Sequence, residues 1–386
     1  MSENQVLSTY AAYSQKEKER LNSSSGGIFS LLANDVLADG GAVYGVAMSD
    51  DCRRAEFLRI TDEVGLERLR TSKYLQAHVG MTFKQVKQDL DSGMTVLFTG
   101  TGCQVNGLIG FLGAGKGVSA VREKYPNLYC MDVICHGAPS PALWREYVEY
   151  VETQNNAKLV SVNFRCKDNS WTDFGMKEQH KRCENDEDVY KEMFINKNQD
   201  PYMLMFLRDY CLRPSCYECK AKEIKLADIT VSDFWGIQKI DPAMSDGKGT
   251  SLVLIRTESG ERLFQRIVDK LKIKEVSYED GVAGNKAEYR SAARPVWRDT
   301  FFTDMNKMTF EELKGKYGMP IPVPMKRKIK AGIKKVLIKA KIILFFFWGG
   351  GVVCDNSSYG LLFVFSAEHG KNEGLTEISE GQKSYE

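Results

Sequence analysis

Between residues 24 and 155 helix-like and strand-like segments alternate, joined by short turns rich in Gly and Ser, and this alternation restricts the chain to an α/β sheet that is largely parallel in this half. After a polar stretch over 1–22 with a short helical pattern, SSSGGIFSLLANDVLADGG places Ile28, Leu31, Leu32 and Val36 on one helical face. Ser24 or Ser25 is expected to cap that helix, and Gly40 sits where a left-handed residue ends it. AVYGVAM then reads as a strand. A second unit runs from the helix TFKQVKQDLDSG to the buried strand MTVLFTG, a tight turn at GTGCQ, and a helix from Val105 to about Leu112. In the third, LYCMDVI is a strand, CHGAPS a turn, and Ser140-Pro141 the cap and first position of a helix over ALWREYVEYVE.

Cys103 follows the second strand and Cys135 the third, so both lie beyond the carboxyl ends of strands, the edge where open α/β sheets bind ligands. Cys103 also opens a helix, whose amide dipoles favour a thiolate. Farther on, Cys216 and Cys219 form a Cys-x-x-Cys pair, a spacing shared by redox dithiols, zinc sites and iron–sulfur sites. Together the four supply the soft ligands of a tetrathiolate site, although each alone reads equally as a buried thiol. Cys130 lies inside an apolar strand. Cys52, Cys166, Cys183 and Cys354 have no partner at ligand spacing, and Cys211 is a reserve candidate beside Cys216. His136, one of four histidines, reads as a turn residue.

The first residues show no basic segment followed by an apolar one, so a cytosolic address with reduced thiols is expected. The composition, 43% hydrophobic and 27% charged, suits one large globular domain or two smaller ones. The net charge of +2 conceals an asymmetry: residues 313–354 carry ten Lys or Arg and no Asp or Glu, which leaves −8 for the rest. An acidic body argues against nucleic-acid binding.

The motifs SSGGIFS, SKYLQ, FTGTGCQVNGL, DVICHGAPSP, VNFRCKD, RPSCYECK and DITVSDFWG, in this order over roughly residues 8–300, closely resemble the beta-subunit family of coenzyme F420 hydrogenases and dehydrogenases. The resemblance implies an α/β subunit with FAD and one 4Fe-4S cluster, the cluster held by Cys103, Cys135, Cys216 and Cys219. It also implies an oxidoreductase: the flavin exchanges a hydride with coenzyme F420 or an unknown organic substrate and passes electrons singly to the cluster. Two positions depart from the family pattern, Gly102 where Pro is usual and Ser232 where Gly is usual. Relatives often begin with a ferredoxin-like region bearing two Cys-rich clusters that is absent here, so a separate ferredoxin or ferredoxin-domain partner is expected. The competing reading is a non-catalytic scaffold with a structural four-Cys metal site.

Flavin contacts are expected at three places. Ser24, Ser25, Gly26 and Gly27 offer donors and close backbone approach at a helix start. Thr99, Gly100, Thr101 and Gly102 form a second turn from strand into helix. Ser72, Lys73 and Tyr74 complete the set, the lysine to stabilise negative charge on the reduced ring and the aromatic to pack against it. No acid–base residue is assigned.

The expected organisation is a lead-in over 1–22, an α/β flavin-binding part over 23–155 and a β-rich part with the Cys-x-x-Cys and DFWG segments over 156–312. A basic and apolar tail helix over 313–354 and a disordered end over 355–386 follow. The fold class is thus α/β: a largely parallel or mixed central sheet with helices on both faces, plus a smaller β-rich part containing cysteines. The apolar run from Ile342 to Cys354 is 13 residues, short of the ~20 that cross a bilayer, so the tail reads as a peripheral contact on the inner face of a membrane or as a docking helix.

Overall fold

A computed structural model describes residues 6–320. Its strands are β1 (Ser8–Ser14), β2 (Ala42–Met48), β3 (Ala55–Ile60), β4 (Ala77–His78), β5 (Val96–Thr101), β6 (Leu128–Val133), β7 (Lys158–Cys166), β8 (Gly175–Glu184), β9 (Glu187–Asn196), β10 (Ile229–Asp233), β11 (Ser251–Ile255) and β12 (Leu271–Glu275). Nine of them form one mixed sheet in the order β12-β1-β11-β10-β6-β5-β2-β3-β4, and β7, β8 and β9 form a second, antiparallel sheet. At the centre β10, β6, β5 and β2 run parallel, so their carboxyl ends share one edge.

Alternation along these strands builds a core on each face. Val43, Leu97 and Met131 point to one side, against Ile28, Leu32 and Val36 of the helix Ile28–Ala38 and Leu263 and Phe264 of the helix Glu258–Gln265. Their neighbours Ala42, Tyr44, Val96, Phe98, Leu128 and Cys130 point to the other, against the helices Thr82–Asp91, Gly102–Gly113 and Val118–Lys124. Helices therefore cover both faces, as the sequence indicates. The small sheet packs through Phe164 and Met176 on Trp144, Tyr147, Tyr202 and Phe206, which come from the helices Pro141–Asn155 and Pro201–Leu207.

Several expectations change. Residues 8–14, read as part of a polar lead-in, are β1, a strand inside the large sheet between β11 and β12; Ala11 and Ala12 are fully buried there. The β-rich stretch expected over 156–312 is divided: β7–β9 make the small sheet, whereas β10–β12 return to the central one, and the DFWG segment begins at the end of β10. Neither Ser24 nor Ser25 caps the helix Ile28–Ala38; the residue before it is Gly27, left-handed at φ 91°. Gly40 is left-handed as expected, at φ 73°. The expected disordered end and nearly all of the basic tail lie outside the described residues, whose last helix is Phe310–Tyr317. No helix among the described residues is long and apolar enough to cross a membrane.

Candidate functional site

The helix expected to start at Val105 begins at Gly102. The Thr101 amide donates to Gln104 Oε1 at 2.8 Å, the reciprocal half of a capping box, so Thr-x-x-Gln ends β5 and starts the helix with no intervening loop. Cys103 is thereby fixed in the first turn, with its Sγ 3.2 Å from Thr101 Oγ1. Gly102 occupies the first helical position, which also suits proline, and a Cβ there would stand 2.9 Å from Asp132 Oδ2 and 3.2 Å from Ala221 Cβ. Ser232 keeps its place in the ladder opposite Leu252.

Backbone pairing brings the other cysteines to the same place. The loop after β6 runs beside residues 211–213: Ser140 N donates to Cys211 O at 2.9 Å and Arg213 N to Ala138 O at 2.8 Å. The Ala138 amide then meets Cys216 Sγ at 3.4 Å, joining the Cys135 loop to the Cys-x-x-Cys segment. Lys222 Nζ donates to Cys135 O at 2.7 Å and Asn106 Nδ2 to Ile224 O at 2.9 Å, so that segment also lies against the helix of Cys103. Ser291 Oγ accepts from the Cys219 amide at 2.9 Å.

The result is a cleft of about 1180 Å³ at the carboxyl edge of the parallel strands, against roughly 300–1,000 Å³ for ordinary small-molecule pockets. Cys103, Cys135, Cys216 and Cys219 all line it, and Cys52, Cys130, Cys166, Cys183 and Cys211 do not. Burial pushes the Cys135 thiol up to about 12, with Lys222 pulling it down and the neighbouring Cys103 and Cys216 raising it. Cys216 is raised first by burial, then by Cys103 and Cys219 against the Ala138 amide. Cys135 and Cys216 thus each feel the charge of two of the other sulfurs. Among the described residues, however, no three Cys, His, Asp or Glu side chains converge closely enough to hold one metal ion. Four thiols on one cleft are the donor set of a tetrathiolate zinc site and of a four-iron cluster alike.

The residues expected to contact a flavin have mixed surroundings. Ser24, Ser25, Gly27, Ser72, Lys73, Tyr74, Thr99, Gly100 and Thr101 line the cleft; Gly26 and Gly102 do not. Ser24 Oγ accepts from the Ser72 amide at 2.9 Å, tying two of the three groups together, and Ser25 Oγ donates to Thr250 O at 3.0 Å. A Cβ on Gly26 would stand 2.4 Å from Ala12 O, so this glycine is required by the approach of β1. Thr99, Gly100 and Thr101 belong to β5 and not to a loop, which removes the second turn as an open phosphate nest.

Lys73 does not extend into the cleft as a free ammonium. Its Nζ donates to the carbonyls of Arg68, Arg70 and Thr71, capping the short helix Leu66–Leu69. The side chain is half-buried at the border of the cleft, and burial lowers its pKa to about 7. Tyr74 packs on Phe206 with centroids 5.1 Å apart, and burial raises its pKa.

The cleft also contains residues that spacing did not single out. Arg165, Phe174, Lys197, Asp233 and Trp235 form its wall beside the small sheet. Arg165 and Asp233 lie inside quoted motifs, VNFRCKD and DITVSDFWG, but only the fold pairs them: Nη2 and Oδ2 stand 2.7 Å apart. His136 also lines the cleft, its Nε2 2.7 Å from Asp209 Oδ1.

The chain is thus of α/β class, with a large cleft at the parallel-strand edge lined by four thiols. Residues 93–280 match the family model for the C-terminal part of the coenzyme F420 hydrogenase/dehydrogenase beta subunit, and over that span the family resemblance carried by the motifs is shown. Among solved structures the chain is similar to one from a study titled "Xenon derivatization of the F420-reducing [NiFe] hydrogenase complex from Methanosarcina barkeri", at 16% identity and TM-score 0.48, covering 82% of this chain and 96% of that one. No curated protein matches the chain.

Proposed function

We propose that this chain is an iron–sulfur flavoprotein subunit of oxidoreductase type, moving electrons between a hydride donor or acceptor and a separate ferredoxin-like partner. Coenzyme F420 or an unknown organic substrate is the hydride partner. The observation that carries this reading is the convergence of Cys103, Cys135, Cys216 and Cys219, spread over more than a hundred residues, on one cleft at the carboxyl edge of parallel strands. When bound, FAD supplies two-electron hydride exchange and the cluster supplies one-electron transfer.

The chain's own residues hold and shape. Cys103 sits in the first turn of the helix Gly102–Gly113. Cys135 and Cys216, both half-buried, are held by the paired loops. Ser24, Ser72 and Gly27 build the wall proposed for the flavin, with Tyr74 as its aromatic surface. A non-catalytic scaffold with a structural four-Cys metal site is the alternative reading of the same thiols.

The test is the visible spectrum of anaerobically purified protein. A flavin band over broad cluster absorbance is expected; a colourless protein carrying zinc overturns the proposal.

A further inference from the structure

Arg165 ends the small sheet's contribution to the cleft and is only 3% exposed. Its Nη2 stands 2.7 Å from Asp233 Oδ2 and 3.5 Å from Trp171 O, and its Nε donates to Ser24 O at 3.4 Å. The guanidinium lies 3.8 Å from the centroid of Phe174 and 5.3 Å from that of Trp235. Asp233 is held in turn: its Oδ1 accepts from Trp171 Nε1 at 2.9 Å, and Trp171 stacks on Trp235 with rings 5.1 Å apart at 9°. The guanidinium is therefore fixed from several directions. Arg165 lines the cleft, and its guanidinium also acts on the Tyr74 phenol through a side-chain hydrogen bond.

A second cation stands beside it. Lys197 Nζ lies 4.1 Å from the Phe174 centroid, donates to Thr172 O, and also lines the cleft. Its ammonium is disfavoured by burial first and then by the charge of Arg165, which places the two cations within electrostatic reach. Lys167, close by, is committed to the carbonyls of Arg20, Ser25 and Lys248. Asp173 and Asp233 both favour the Lys197 ammonium, but of the two cations only Arg165 has, among the described residues, a carboxylate at ion-pair distance, Asp233. A buried guanidinium remains charged and demands acceptors.

We propose that Arg165 and Lys197 form an anion subsite in the cleft, flanked by Phe174 and Trp235, that receives an anionic oxygen of the bound redox ligand. This rests on the flavin reading for the ligand's identity but not for the existence of the subsite. The oxygen has two sources: a phosphate of the dinucleotide, or the ring oxygen that becomes negative on reduction. Arg165 takes over the electrostatic part assigned from the sequence to Lys73.

The experiment uses the full chain stripped of co-purifying flavin, as wild type, Arg165→Gln, Arg165→Lys and Lys197→Met, titrated with FAD and with inorganic pyrophosphate, alongside flavin midpoint potentials and melting curves. If a phosphate is held, Arg165→Gln and Lys197→Met weaken oxidised FAD and pyrophosphate at least tenfold, and Arg165→Lys recovers part of the loss. If the reduced ring is held, oxidised FAD binds as before while the potential falls by about 30 mV or more, the equivalent of tenfold for two electrons. Unchanged affinity and potential in Lys197→Met, or in a folded Arg165→Gln, overturns the subsite, and Lys197→Met decides the matter if Arg165→Gln does not fold. A wild type that takes up no FAD defeats the flavin reading; pyrophosphate binding that is lost in the variants then still supports the subsite, and its absence from wild type overturns it.

Discussion

The Tyr147 hydroxyl stands 2.6 Å from Glu178 Oε1 and 2.7 Å from Asp200 Oδ2, with both carboxyls fully buried. A phenol has one proton to give, so it donates to one carboxyl and accepts from the other, and one of the two must itself be protonated. Asp200 is that group by environment: burial pushes it up to about 7, against the Met203 amide and the Tyr147 hydroxyl, which pull it down. Glu178 has a second partner, with Oε2 2.9 Å from His180 Nε2. Because the folded pKa lies above the ordinary 3.8, the folded state keeps a proton that the unfolded chain releases. Its contribution to stability is full below about pH 4, declines as pH rises toward 7 and is flat above; between pH 5 and 7 the change is on the order of 2 kcal/mol. Asn at this position retains a helix cap and has no proton to lose. Denaturant titrations should therefore show wild type losing on the order of 2 kcal/mol relative to Asp200→Asn between pH 5 and 7, and a pH-independent difference would contradict the assignment. None of this was legible in the sequence, where the three residues stand 22 or more positions apart with no spacing rule to join them. Lys73 shows the complementary limit: its presence near the cleft was legible, but the direction of its ammonium depended on three carbonyls of a short helix.

At the scale of elements, what was legible follows from how local each cause is. β2, β5 and β6 and the helices between them were readable because apolar runs and apolar faces are properties of neighbouring residues. The cap at Ser140 was too, since its hydroxyl accepts from Ala142 N two residues on. β1 was not, because Ser, Thr and Ala give it little hydrophobic signal and its partners, β11 and β12, lie some 240 residues away. The same strand explains the Gly26-Gly27 turn. Gly26 donates its amide to Ser251 Oγ at 2.9 Å and has no room for a side chain against Ala12 O, whereas Gly27 is required by its positive φ. Gly40 has positive φ but open space around it. Gly40→Ala should therefore lose about 1–2 kcal/mol from backbone strain alone, and Gly26→Ala clearly more, because the loop or β1 must move as well. Urea unfolding of both variants checks the order; equal losses would mean that the contact with β1 is unimportant.

In the whole molecule the cleft is assembled by distant pieces: the end of β5, the loop after β6, the Cys-x-x-Cys segment, and the turn near Ser291 that accepts the Cys219 amide. The four cysteines proposed as ligands were legible as residue types and strand ends, and through a family resemblance. Its convergence was not, because it depends on hydrogen bonds such as Arg213 N to Ala138 O that no periodicity encodes. The same assembly leaves other cysteines as internal controls. Cys183 is exposed on β8 and outside the cleft, so removing its sulfur disturbs neither packing nor the four thiols; Cys130 is a poorer control, since a serine there would bury a hydroxyl in an apolar core. The decisive measurement is iron and acid-labile sulfide per chain in anaerobically purified wild type, Cys103→Ser, Cys135→Ser, Cys216→Ser, Cys219→Ser and Cys183→Ser. About four irons are expected in wild type and in Cys183→Ser, with most of the iron gone from each of the other four. Equal iron in all six proteins, or wild type carrying zinc in place of iron, would contradict the account.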